Sequence, residues 1–187
     1  MIGIIDCGCP TIKELEYLVD QFDDHTTIPL LDLNAEPSCI DAFIISSSSV
    51  QLTDIETDIY LDRLSFIKES NKSVLGIDFG NRLLGLLYGS CIYKTRSINS
   101  WQLIESFEDS IILDKLPYEF EMMANYTETS SVPPGFKLIA SSDACITEVI
   151  EHLEKPQFGV QFLPELSGNY GAIIIDNFIR SIKKADN

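Results

Sequence analysis

The amino-acid sequence predicts an α/β domain of three layers, with a central, mostly parallel sheet, flanking helices and a small antiparallel extension. Three observations carry this expectation. Short apolar runs at 2–6, 42–46 and 74–77 alternate with stretches of helical apolar spacing, the pattern of parallel strands covered on both faces. Gly76 and Gly80 bracket a sharp strand-to-helix turn in Ser73-Val74-Leu75-Gly76-Ile77-Asp78-Phe79-Gly80. From Cys91 to about Glu121 the pattern shortens to alternation, which reads as antiparallel strands beside the main sheet.

Taken in order, 2–6 is the first, fully buried strand, and Cys7-Gly8-Cys9-Pro10 is the turn that ends it. Thr11 stands as an N-cap to a helix whose Ile12, Leu15, Leu18, Val19 and Phe22 share one apolar face. Residues 27–33 are expected as the second strand and 42–46 as the third. Thr53, with Glu56 three positions on, has the capping-box pattern. It precedes a helix that presents Ile55, Leu61, Leu64 and Ile67 and runs to about Ser70. Strand 74–77 and the helix beyond its turn come next. Segments 97–105 and 109–113 form the antiparallel extension, and 127–135 is a polar loop ending in Pro133-Pro134-Gly135. A hairpin is expected from 136–140 and 146–152, a return to the core at 158–162, and a closing helix over 172–184. No repeat, low-complexity tract or linker interrupts the chain, so 1–187 reads as a single domain.

A hydrophobic fraction of 45% and a charged fraction of 22% over 187 residues are those of an ordinary soluble domain. The net charge of −16 argues against nucleic-acid and anionic-membrane partners, because phosphate binding needs clustered cations. No apolar run approaches the roughly 20 residues that span a bilayer. The chain opens directly on a strand rather than a signal peptide, and its five cysteines are scattered. The expected compartment is the cytoplasm, with reduced thiols. No cofactor or metal is expected: Cys7 and Cys9 lack a neighbouring His or second Cys pair, and no phosphate-binding or dinucleotide fingerprint is present. Cys39, Cys91 and Cys145 read as small buried residues, and His25 and His152 as surface or turn residues.

The turn after strand 74–77 lifts Asp78 onto the top of the sheet at a helix N-terminus, the geometry of a nucleophile elbow. Later comes Gly159-Val160-Gln161-Phe162-Leu163-Pro164-Glu165. Together the two segments resemble the class I glutamine amidotransferases. In that family the elbow reads Gly-Ile-Cys-x-Gly-x-Gln and the later segment Gly-Val-Gln-Phe-His-Pro-Glu. Asp41-Ala42-Phe43-Ile44-Ile45-Ser46 is similar to the family's third strand, and Pro134-Gly135-Phe136-Lys137-Leu138-Ile139-Ala140 to its Pro-Gly-Phe segment. Asn169-Tyr170-Gly171 with Asn177-Phe178 most resembles the stand-alone glutaminase subunits of GMP synthetase. The resemblance spans almost the whole chain and implies a flavodoxin-like sheet.

What it implies for chemistry is a loss. In the family the elbow Cys attacks the glutamine amide, His shuttles the proton and an acid orients His. On those positions this chain carries Asp78, Leu163 and Glu165, so only the acid survives. The family's Gly-Gly-Pro turn, which supplies an oxyanion donor, is replaced by Ser46-Ser47-Ser48-Ser49-Val50. Arg82 stands where Gln follows the elbow, and Tyr126 where a His faces the synthetase. The candidate pocket is thus formed by Gly76, Gly80, Arg82 and Tyr126. Arg82 is expected to pair with Asp78 or to bind an anion. Asp78 is a helix N-cap in one reading and a carboxylate nucleophile in the other.

The leading expectation is a protein without glutaminase activity that serves as a binding or regulatory subunit on a synthetase-type partner. Two alternatives stand beside it. One is an enzyme with altered chemistry that uses Asp78, or a thiol of Cys7 or Cys9. The other is a sensor of a small-molecule ligand.

Overall fold

The computed structural model describes residues 1–185. Its strands are β1 (Ile2–Asp6), β2 (His25–Pro29), β3 (Ala42–Ile45), β4 (Ser73–Ile77), β5 (Ile92–Ser106), β6 (Glu119–Ser130), β7 (Phe136–Ser141), β8 (Val149–His152) and β9 (Gln157–Val160). They form one sheet in the order β2-β1-β3-β4-β9-β8-β7-β5-β6. The first five in that order pair in parallel, and the rest are joined antiparallel. The α-helices are α1 (Ile12–Asp20), α2 (Asp58–Leu64), α3 (Phe79–Leu87) and α4 (Gly168–Ala185).

Strand alternation divides the core in two. Ile2, Ile4, Ile44, Leu75 and Val160 face Leu15, Val19, Ile174 and Phe178, so α1 and α4 cover one side. Ile5, Phe43, Ile45 and Val74 face Leu64, Phe79, Leu83 and Leu87, so α2 and α3 cover the other. Burying such a side chain contributes about 1.5–3 kcal/mol. The three-layer arrangement with an antiparallel extension is therefore as predicted.

Several local expectations are corrected. The second strand begins at His25 and ends at Pro29, after which Leu30–Asp32 is a 3-10 turn; Pro29 has no N–H to extend a ladder. Thr11 makes no side-chain cap, because its hydroxyl donates to Glu165 at 2.8 Å. Thr53 makes no capping box: it lies in a 3-10 turn, Leu52–Asp54, and α2 begins only at Asp58 and gives way to a 3-10 turn at Ser65–Lys68. Residues 109–113 hold no strand, and Ile111–Leu113 is 3-10. There the Asn177 amide of α4 donates to the carbonyls of Ile112 and Asp114 at 3.2 and 2.6 Å.

The polar loop expected at 127–135 is strand as far as Ser130, paired through to Ile92 of a continuous β5. Phe120, Met122, Ala124 and Tyr126 are buried in alternation, and Glu128 and Ser130 continue that phase inward. The hairpin's second strand begins at Val149, and α4 begins at Gly168. Cys39 and Cys91 are exposed, whereas Cys145 is buried. His152 belongs to β8, with its ring edge-on to Phe136 and Tyr88.

Candidate functional site: a buried ion network at the elbow

The turn between β4 and α3 has the sharpness expected of an elbow. Asp78 sits at φ 49°, ψ −102°, a conformation that costs an L-residue on the order of 1–3 kcal/mol. Close packing imposes it. A Cβ on Gly80 would stand 2.1 Å from the Ile45 carbonyl oxygen, and one on Gly76 2.7 Å from the Gly80 oxygen. Only glycine at both positions lets α3 approach β3 and β4 this closely.

The Asp78 side chain does not cap α3. It turns into the protein, where Oδ1 accepts hydrogen bonds from Arg82 Nη1 at 2.7 Å and Gln161 Nε2 at 3.1 Å. Arg82 Nη1 also donates to the Glu128 carbonyl at 3.1 Å, and its Nε lies 3.9 Å from Glu128 Oε2. The Glu128 carboxylate accepts from the amides of Leu52 and Thr53, each at 2.9 Å, and from the Thr53 hydroxyl. It thereby ties the segment after β3 down over the elbow. Asn81 Nδ2 donates to Gln161 Oε1 at 3.3 Å and completes the cluster.

Exposure is 2% at Asp78, 3% at Arg82 and 0% at Glu128, so one guanidinium is shared by two carboxylates out of water. Burial raises the Asp78 carboxyl above its usual value, and Arg82 opposes that rise.

The other expected site residues lie around this network. Leu163 is 5% exposed and packs into the core with Phe162 and Tyr126; its amide donates to the Met123 carbonyl at 2.8 Å. It has no group that could move a proton. Glu165 accepts from Thr11 through Oε1, while its Oε2 is out of solvent with no partner. Burial pushes its carboxyl up to about 7.

Tyr126 donates to Glu148 Oε1 at 3.4 Å. Gly76, Gly80, Arg82 and Tyr126 are all buried, so they line the interior rather than an opening. The serines after β3 keep ordinary negative φ. Ser46 Oγ accepts from the Cys7 amide at 2.9 Å, and Cys9 Sγ lies 3.0 Å from Ser47 Oγ. Burial raises both thiols, so neither is a ready thiolate. Cys7 borders a cavity of about 300 Å³ with Leu30 and Tyr60 at the carboxyl edge of β1 and β2.

Two residues of the interior escape the sequence reading. Glu128 falls in a segment read as loop, although it is in phase with Phe120, Met122, Ala124 and Tyr126. Glu148 lies between Thr147 and Val149, just before β8, and is fully buried. Its Oε1 accepts from Ser142 at 2.7 Å, its Oε2 has no partner, and burial pushes its carboxyl up to about 7. For Glu128 the available signal is its phase on an otherwise apolar strand; Glu148 precedes β8, two residues from the exposed Ile146, and carries no such signal.

The parallel part of the sheet thus carries a strained elbow after β4 and an acid on the segment beyond β9, the two segments on which the resemblance to class I amidotransferases rests. The sequence profile of the family "Glutamine amidotransferase class-I" matches residues 5–182; the chain belongs to that family. It is 34% identical over 111 residues to a GMP synthase (glutamine-hydrolyzing) subunit of Methanocaldococcus jannaschii, covering 57% of this chain and 58% of that one. To the protein of the same name from Pyrococcus furiosus it is 33% identical over 120 residues, covering 63% and 64%. These matches thus span a little under two thirds of the relatives' length.

Among solved structures, a protein described as a GMP synthase subunit from Thermoplasma acidophilum superposes with a TM-score of 0.90 at 23% identity, covering 99% of this chain and 94% of that one. A glutamine amidotransferase from Thermotoga maritima gives 0.74 at 12% identity, covering 99% and 84%. At such identities the two structures speak for the fold alone. Among the described residues no helix is long and apolar enough to cross a membrane.

Proposed function

We propose that this chain has lost glutamine hydrolysis and acts as a binding or regulatory subunit, with a synthetase-type protein as partner and the cytoplasm as compartment. The observation that supports this is the Asp78–Arg82–Glu128 network. The side chain on the elbow is a buried carboxylate held by two donors, with no path to a substrate carbonyl. The arginine that stands for the family's Gln is committed to the same network, and Glu128 pins the segment after β3 above it.

Leu163 supplies no proton shuttle, and loss of a triad member costs several orders of magnitude in rate. The missing Gly-Gly-Pro turn adds to this, because one misplaced oxyanion donor costs about 3 kcal/mol in the transition state. A partner is supported by the names of the relatives, which mark each of them as one subunit of a glutamine-hydrolysing synthase.

The test is ammonia release from glutamine by the purified protein, at high concentration and over hours. No release above a heat-denatured control is expected. Release that tracks the folded protein would overturn the reading. Co-purification from the native source should carry a synthetase-type protein with the chain, and a solitary monomer at native concentration would remove the partner. The strained elbow at Asp78 is what favours the second reading, an enzyme with altered chemistry. Any activity of that kind that depends on the carboxylate must vanish in Asp78→Ala.

A further inference from the structure

The hairpin of β5 and β6 carries a solvent face that the elbow network does not use. β7 joins β5 only at Glu105 and Ser106, so over 98–104 the ribbon is two strands wide. Alternation turns Ile98, Ile104, Phe120, Met122 and Ala124 inward. The opposite face sets Trp101 against Met123, Leu103 against Glu121 and Glu105 against Glu119. Trp101 is 53% exposed and Leu103 48%. The three glutamates are exposed as well, and Met123 is half-buried.

Two features of this face are unfavourable while it stands in water. Trp101 and Leu103, neighbours on one side of β5, leave apolar surface unburied. Glu105 and Glu119 are like charges directly opposite each other in the ladder, which is destabilising. Among the described residues no ion pair engages either of them or Glu121. Between 97 and 121 the sequence has six carboxylates and a single cation, Lys115.

The charge decides what can cover the face. A second copy would set these carboxylates against its own across a two-fold axis, and an anionic lipid or nucleic acid meets the same repulsion. A protein surface with apolar side chains flanked by lysine or arginine buries Trp101 and Leu103 and neutralises the opposed glutamates.

We propose that the outer face of the β5–β6 ribbon docks a basic surface of the partner protein. Trp101 is its apolar anchor, a residue type that often dominates such interfaces, and Glu105, Glu119 and Glu121 are its charge complement. This rests on the reading of the chain as a subunit, but not on the loss of glutamine hydrolysis.

The experiment is retention of protein from a lysate of the native source on the tagged full chain, in wild-type, Trp101→Ser and Glu119→Lys forms. Tyr17→Ser on α1 and Asp62→Lys on α2 are controls, since both positions are exposed elsewhere. The protein held by the wild type is then purified and titrated. Trp101→Ser should weaken its binding by about tenfold or more. Glu119→Lys should weaken it several-fold and flatten its salt dependence. The same substitution removes the clash with Glu105, so its melting temperature should be unchanged or higher, which separates docking from folding. The controls should bind as the wild type does. Trp101 is the chain's only tryptophan, so fluorotryptophan labelling places one fluorine on this face, and its resonance should shift when the partner saturates the chain. Full affinity in both ribbon variants, equal losses in the controls, or an unmoved fluorine signal with partner bound would each overturn the docking face and leave the subunit reading standing. Retention of no protein would overturn both. If Trp101→Ser melts early, Glu119→Lys and the fluorine signal decide.

Discussion

Replacing Arg82 with methionine tests whether the elbow network is held together electrostatically. The substitution keeps a long side chain but removes the cation that Asp78 and Glu128 share. Glu128 keeps three donors from Leu52 and Thr53, so the charge left stranded is chiefly that of Asp78, whose remaining side-chain donor is Gln161. Removing one partner of a buried pair costs about 3–5 kcal/mol, because the other charge stays out of water.

For a chain of this length that corresponds to a melting temperature lower by about 10 °C. The double variant Arg82→Met with Asp78→Asn removes the stranded charge and should recover about 2 kcal/mol of the loss. Acid should do part of the same work. Without Arg82, the burial that already raises the Asp78 carboxyl meets less opposition, so the single variant's deficit should shrink as pH falls from 7 to 5. The assay is urea unfolding of the three proteins at both pH values. A loss below about 1 kcal/mol in Arg82→Met, or no recovery in the double variant, would refute the argument.

Three further predictions concern two buried carboxyls, the elbow and one strained surface turn. Glu148 and Glu165 each rise from 4.5 to about 7 on folding, so the folded protein holds their protons more tightly than the unfolded chain. Their contribution is complete below pH 4.5 and is lost as pH rises to about 7, at about 3 kcal/mol per carboxyl. Glu148→Gln should therefore gain on the wild type between pH 4.5 and 7.5, and parallel stability curves for the two proteins would contradict the assignment. Restoring the family's reactive pair, Asp78→Cys with Leu163→His, should not restore ammonia release from glutamine, because Arg82 and Glu128 still fill the interior; measurable release would show that the network leaves room for substrate. Lys115 is exposed at φ 67°, and Lys115→Gly should stabilise the fold by about 0.5 kcal/mol through relief of that strain. A lower urea midpoint would show that the lysine side chain makes a contact worth more.

By itself the sequence determined the parallel core of the sheet, the two helical layers and the elbow. Apolar runs such as those within Ile2–Asp6 and Ser73–Ile77 are too short for a helix and end in turn residues, so they read as buried strands. Gly76 and Gly80 are a local requirement of the turn, and the resemblance to class I amidotransferases rests on contiguous segments. The closing helix was legible too, expected over 172–184 and found from Gly168.

Only the tertiary structure decided where the polar side chains are spent. Thr11 and Thr53 have local capping signals, but each finds a partner far along the chain, Glu165 for one and Glu128 for the other. A distant carboxylate out of water competes for a hydroxyl more strongly than a helix end in solvent does. Glu128 itself reads as loop until β5 pairs with β6 and turns that face inward. The elbow is a property of neighbouring residues, whereas its occupation by a buried ion network depends on α3, β6, the ends of β4 and β9 and the loop after β3 meeting in space.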